Sequence, residues 1–191
     1  MSKTSPIGRI SFPHLFTPRA PSVGADERYS LSLIFDEEAQ ASPEYKAMKK
    51  TVLEVAEEKW GAKTKEMLQK GQIYLPFRDA GEKEYAGYEA GKVFISPWSK
   101  QKPDVIDGRL QDVIESDVYP GCKGRITYNP FAWEVSGKRG VSIGLNNVQI
   151  SDFSSPRLDG HKAGKDDFDQ LDGLEGSDWT DRELEDEEMP F

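Results

Sequence analysis

Short strand-like segments of apolar and polar residues, separated by Gly, Pro and Asn, dominate the first 150 positions, and one stretch breaks into a helical period. In Glu27 to Phe35, ERYSLSLIF, the residues Tyr29, Leu31, Leu33 and Phe35 oppose Ser30 and Ser32, as in a strand with one buried face. Ile34 interrupts the polar side, which predicts that this strand is covered on both faces. Gly8 to Phe16 reads as an earlier strand, and Ile73 to Phe77, Lys92 to Trp98 and Val105 to Ile106 as later ones. The longest β signal runs from Cys122 to Ile150. It consists of two extended runs joined by SGKRG, a hairpin whose loop carries Lys138 and Arg139. In the second run Val141, Ile143 and Leu145 alternate with small or polar residues.

The helical stretch has its own punctuation. Ser42 is placed as N-cap, Pro43 occupies the first helical position and Glu44 lies in the first turn. Tyr45, Met48, Val52, Val55, Ala56 and Trp60 then recur on one side until Gly61, and Ala62 to Lys70 extend the helix by a turn or two. Such a one-sided stripe packs against a core. The predicted fold is all-β with an inserted helix, as a single small barrel. After Asp152 periodicity vanishes, so the domain is expected to span residues 1–155 and an acidic, disordered C-terminal tail residues 156–191.

Composition sharpens that division. The 191 residues are 36% hydrophobic, low for a chain packed throughout. From Asp166 to Phe191, twelve carboxylates face one basic residue, Arg182, giving −11 against −9 for the whole chain, so Met1 to Lys165 is left at +2. A mildly basic body with an acidic tail is compatible with a nucleic-acid partner, which the overall negative charge alone would argue against. The lone cysteine, Cys122, excludes an intrachain disulfide and a Cys-based zinc site. No run of about 18 apolar residues occurs and MSKTSPIGRISF lacks a signal-like apolar stretch, so a soluble, cytoplasmic protein is expected.

Catalytic chemistry finds little support. His14 and His161 lie far apart and have no partner at catalytic or ligand spacing, and no phosphate-cradling, nucleophile-elbow or zinc-protease pattern is present. Carboxylate runs such as Asp36-Glu37-Glu38 read as solvated faces. Neither an enzyme nor a cofactor or metal is implied.

Cations and aromatics, by contrast, are interleaved: Tyr74, Phe77 and Arg78; Phe94, Trp98, Lys100 and Lys102; Lys123, Arg125, Tyr128, Phe131 and Trp133. Unpaired bases stack on flat side chains while their phosphates follow cations, so this mixture points to single-stranded nucleic acid. Most aromatics of a small β domain are core, and two are singled out. Pro130 cannot donate to a ladder and marks an edge or bulge where the strand is expected to change face. Beyond it Phe131 and Trp133 share a side, flanked by Arg125, Lys138 and Arg139.

The segment PFAWEVSGKRGVSIGLNNVQ, with the preceding YPGCKGRITY, resembles the C-terminal hairpin of the single-stranded DNA-binding proteins of short-tailed phages and a related group of phage proteins. The resemblance implies a five-stranded oligonucleotide-binding (OB) barrel with a helix inserted between strands and an acidic tail. It also implies a role in coating single-stranded DNA during phage replication, recombination and repair in the host cytoplasm, with Phe131 and Trp133 facing DNA. Contacts from Arg78, Lys100 and Lys102 rest on charge alone.

The chain closes on Asp186, Glu187, Glu188, Met189, Pro190 and Phe191, which resembles the acidic Pro-Phe terminus of bacterial single-stranded DNA-binding proteins. As a peptide ligand it would offer an aromatic for an apolar pocket, a carboxylate for an Arg or Lys, and acids for a basic rim. The expected partners are single-stranded DNA and, through this tail, a polymerase, helicase-primase or nuclease, with a homodimer among the assemblies the sequence allows and no membrane. Two rivals stand beside this reading: an RNA-binding OB chaperone, and an interaction adaptor or DNA mimic acting through the tail.

Overall fold

The computed structural model describes residues 3–161. The tail residues Asp186 to Phe191, and with them the partner site expected there, lie outside the described residues. The strands are β1 (Lys3–Thr4), β2 (Gly8–Arg19), β3 (Arg28–Phe35), β4 (Arg78–Asp79), β5 (Val93–Ile95), β6 (Trp98–Ser99), β7 (Val105–Ile106), β8 (Lys123–Val135) and β9 (Lys138–Asp152). Strand β8 pairs with β2, β2 with β3, and β3 with both β5 and β6. Strand β6 meets β9 in parallel at Trp98 and Gly144, and β9 returns to β8. With β5 and β6 sharing one place, the circuit is the closed five-stranded barrel that was expected.

Strand alternation fills this barrel. Leu31, Leu33 and Phe35 of β3 and Val141, Ile143 and Leu145 of β9 point inward, and all are buried in one core with Ile10, Ile95 and Ile126. Ile34 is buried on the outer side instead, in a second cluster with Ala80, Tyr88 and Phe94. The strand is thus covered on both faces, as its sequence predicts.

Between β3 and β4 lie α1 (Glu37–Ala41), α2 (Pro43–Trp60) and α3 (Thr64–Gln69). Asp36 caps α1 by accepting from the Ala39 amide at 2.9 Å, so one of the carboxylates assigned to a solvated run holds a helix end. Ser42 caps α2 through the Tyr45 amide, and Gly61 ends it with φ 64°. Tyr45, Met48, Val52 and Ala56 then pack into the barrel core.

Three local expectations are corrected. The β8–β9 hairpin turns in two residues, Ser136 and Gly137, whose φ values of 50° and 79° match the type I′ geometry that follows the twist of the strands. Lys138 and Arg139 therefore belong to β9, not to a loop. Pro130 pairs with Ile143 and the alternation of β8 continues through it. The register shift falls at Thr127/Tyr128, so no change of face occurs at the proline. Ile73 to Phe77 is not a strand: Tyr74 alone bridges to Gly140, and its amide donates to the Arg139 carbonyl at 2.9 Å.

Packed chain also continues past Ser155. Arg9 donates to the Pro156 carbonyl at 2.6 Å, the Leu158 amide donates to the Pro120 carbonyl at 2.7 Å, and the Leu158 side chain covers the Ile34 cluster. Upstream, Asp152 accepts from the side chains of Ser154 and Ser155 and from the Ser154 amide, which holds its carboxyl down to about 2. No helix of the described residues is long and apolar enough to cross a membrane.

Candidate nucleic-acid interface

The outward-facing residues of β9 opposite Trp133, Phe131 and Asn129 are small: Gly140, Ser142 and Gly144 respectively. An aromatic pair lies beside each of the two glycines. A Cβ on Gly140 would stand 2.7 Å from the Trp133 ring and 2.7 Å from the Tyr74 carbonyl oxygen, so backbone and ring together exclude any side chain there. Across that gap Tyr74 and Trp133 stack with centroids 6.3 Å apart and planes 13° from parallel. Four residues along β9, Trp98 pairs with Gly144 in register and meets Phe131 edge to face at 5.7 Å and 86°. The parallel neighbours of β9 contribute one ring of each pair and β8 the other.

Cations surround these rings. The Arg28 guanidinium lies 4.8 Å above the Trp98 ring, where burial lowers its pKa while leaving it a cation. Arg78 donates to Ser96 Oγ at 2.6 Å and spans the Phe94 ring at 4.5 Å. Tyr74, Arg78, Ser96, Trp133, Lys138 and Ser142 line an open groove of about 430 Å³. Tyr74 is 57% exposed and Phe131 36%, so neither is held in a core. The outcome is a set of flat faces with guanidinium and ammonium groups at their margins and hydroxyls on the floor. That arrangement can stack planar, unpaired bases and neutralise the phosphates that link them.

The structure sorts the residues singled out from the sequence into two groups. Phe131, Trp133, Trp98, Arg78 and Lys138 come together on this face. Tyr128 does not: it is 2% exposed, with its hydroxyl beside Thr51 of α2, and offers no ring face to a ligand. Phe77 packs edge-on to Tyr45 at 5.6 Å against the main core. Arg139 has the parity of Val141 and turns toward the helices, pairing with Glu134 at 3.4 Å and reaching the sulfur of Met67. Lys100 is paired with Asp26 at 2.7 Å, and Lys102 lies 5.9 Å from the Phe16 ring. Lys123 and Arg125, at the far end of β8, line a different cleft with Arg9, Lys92, Asp36 and Glu44.

Tyr74, named from the sequence only among the interleaved aromatics, and Arg28, not named there, complete the face. Arg28 could have been found, because it shares the parity of Ser30 and Ser32, the outward side of its strand. The position of Tyr74 on this face could not, since it depends on one parallel bridge to a strand far along the chain. Among the described residues no cluster of three or more His, Cys, Asp or Glu is placed to hold a metal ion.

A closed five-stranded barrel with a helix between its strands and an open aromatic face is an OB-type domain. The family model described as Enterobacter phage Enc34, ssDNA-binding protein, matches residues 3–179, and the chain belongs to this family of phage proteins. The single-stranded DNA-binding protein of bacteriophage Enc34, solved in complex with ssDNA, is similar in fold. Its TM-score is 0.63 at 18% identity, covering 80% of this chain and 87% of that one. The single-stranded DNA-binding protein gp2.5 of bacteriophage T7 follows at 0.53 and 17%, covering 91% and 97%. No curated protein matches the chain.

Proposed function

We infer that the protein binds single-stranded DNA on this face, largely without sequence preference. The observation that carries the reading is the pair of aromatic contacts beside Gly140 and Gly144, ringed by Arg28, Arg78 and Lys138. Stacking accepts every base and cations attract the phosphates common to all sequences, which supports binding largely without sequence preference. Family membership supports the same ligand, since the family is described by a ssDNA-binding protein. Titration with oligo-dT is expected to quench tryptophan emission through Trp98 and Trp133. The logarithm of affinity should fall with the logarithm of salt at about −0.7 per phosphate neutralised. Salt-independent binding, or a preference for duplex, would rule the reading out. A competing RNA oligonucleotide of the same sequence separates the chaperone alternative, because stacking and phosphate contacts do not read the sugar.

Under the same proposal the protein serves phage DNA replication, recombination and repair, and its acidic C-terminal segment recruits partner enzymes. The division of charge supports this: +2 to Lys165 and −11 beyond it, ending on Phe191. Truncation after Lys165 should tighten DNA binding, most at low salt, by removing a tethered polyanion that competes for the cations. Removing Phe191 alone should spare DNA affinity and abolish retention of a partner polymerase, helicase or nuclease. Weaker DNA binding after truncation, or partner retention without Phe191, would leave the tail a solubilising segment.

A further inference from the structure

Resting on that reading, we propose that Phe12 and Tyr85 form a second stacking platform, lengthening the path of the strand across the barrel beyond Arg78. Phe12 lies at an interruption of β2. Ser11 pairs with Ser32 and His14 with Ser30, so Phe12 and Pro13 together stand against Leu31 alone. Phe12 carries φ 47°, a left-handed conformation that a bulky residue rarely takes and that a following proline disfavours further. Glycine is the ordinary occupant of such a bulge position. Burial does not account for the exception, because Phe12 is 45% exposed.

The strained bulge delivers the ring to a particular place. Phe12 meets Tyr85 edge to face at 5.2 Å, and Tyr85, 54% exposed, is held in turn by Tyr88 at 5.6 Å. Tyr88 is buried against Phe94 at 5.1 Å, and Phe94 is the ring beneath the Arg78 guanidinium. Arg78 lines the groove of Tyr74 and Trp133 and covers the end of this second cluster, so one cation joins the two aromatic sets. Between them the outer surface of the sheet is polar, with Ser32 Oγ and Ser96 Oγ 3.4 Å apart. An exposed ring pair held by buried rings, a conformation that costs stability, and continuity with the first groove together favour an extended nucleic-acid path. The neighbouring loop carries Lys83 between Glu82 and Glu84 and so has no excess of cations, which makes stacking, not phosphate neutralisation, the contribution of this platform.

The test uses the full chain and oligo-dT of lengths spanning about 4 to 16 nucleotides, the range occupied on one OB barrel. The double variant Phe12→Ala, Tyr85→Ala should match the native protein on the shortest oligonucleotide that binds. On the longest it should fall short by about 5- to 150-fold, with an unchanged salt slope. Phe12→Gly gives a control for folding: glycine accepts the backbone conformation, so thermal stability should hold or rise while affinity for long oligonucleotides falls. Equal affinity of native and variant proteins at every length overturns the proposal and leaves these rings as a protein-docking surface. Failure of the native protein to bind at any length overturns the parent reading as well.

Discussion

Replacing Trp133 by alanine should weaken oligo-dT binding by about 1–3 kcal/mol, roughly 5- to 150-fold, and leave the fold cooperative. The size of the effect follows from position. Trp133 stacks with Tyr74 over Gly140 and is only half-buried, so its loss removes a flat surface without opening the barrel core. Phe131→Ala should act in the same direction, because that ring fixes the edge-on partner Trp98. Binding is best followed by anisotropy of a labelled oligonucleotide, with the thermal transition recorded alongside. Native affinity in the Trp133 variant would move the DNA path elsewhere, and an unfolded variant would make the ring a core element. Trp60 is a useful contrast. It sits at the end of α2, where its Nε1–H donates to Glu134 Oε2 at 3.4 Å, so Trp60→Phe should spare binding.

Tyr128→Ala should do the reverse, costing about 3–5 kcal/mol of stability while the molecules that remain folded keep near-native DNA affinity. Tyr128 is among the largest fully buried side chains, where strand β8 meets α2 beside Thr51, and removing its ring leaves a cavity in the main core. Against a total stability of about 5–15 kcal/mol this is a large fraction, visible as a lower midpoint in urea at an unchanged slope. The deciding outcome is a variant with native stability but impaired binding, which would put Tyr128 back on the ligand face.

Those two residues, five apart on one strand, mark what the sequence reveals and what it hides. The alternation in β3 and β9, the capped helix from Pro43 to Trp60 and the closed barrel are legible because each rests on local periodicity or on punctuation by Ser, Pro and Gly. Phe131 and Trp133 are legible by parity. The parity of Tyr128, however, sets it with Ile126 and not with those two, and the assumed change of face at Pro130 obscured this. Arg139 was misplaced for a related reason: a two-residue turn puts it already in β9, where alternation sends it toward Glu134 and Met67. The remaining parts of the face come from long-range pairings, Tyr74 with Gly140 and Trp98 with Gly144, which no local pattern encodes.

Those pairings also set when, during folding, the aromatic face can exist. The β8–β9 hairpin is joined by two residues and can form within about 1–10 μs, the ordinary time for such local structure. The face, however, needs Tyr74 and Trp98 to find their glycines on β9, closures over many tens of residues whose loop entropy slows assembly. A chain emerging from the ribosome at about 5–20 residues per second exposes Tyr74 and Trp98 for seconds before Gly140 and Gly144 appear. During that interval it carries half of each aromatic pair and no groove. Nascent chains should therefore ignore any single-stranded nucleic acid nearby until β9 has closed the barrel, which keeps synthesis and binding apart in time.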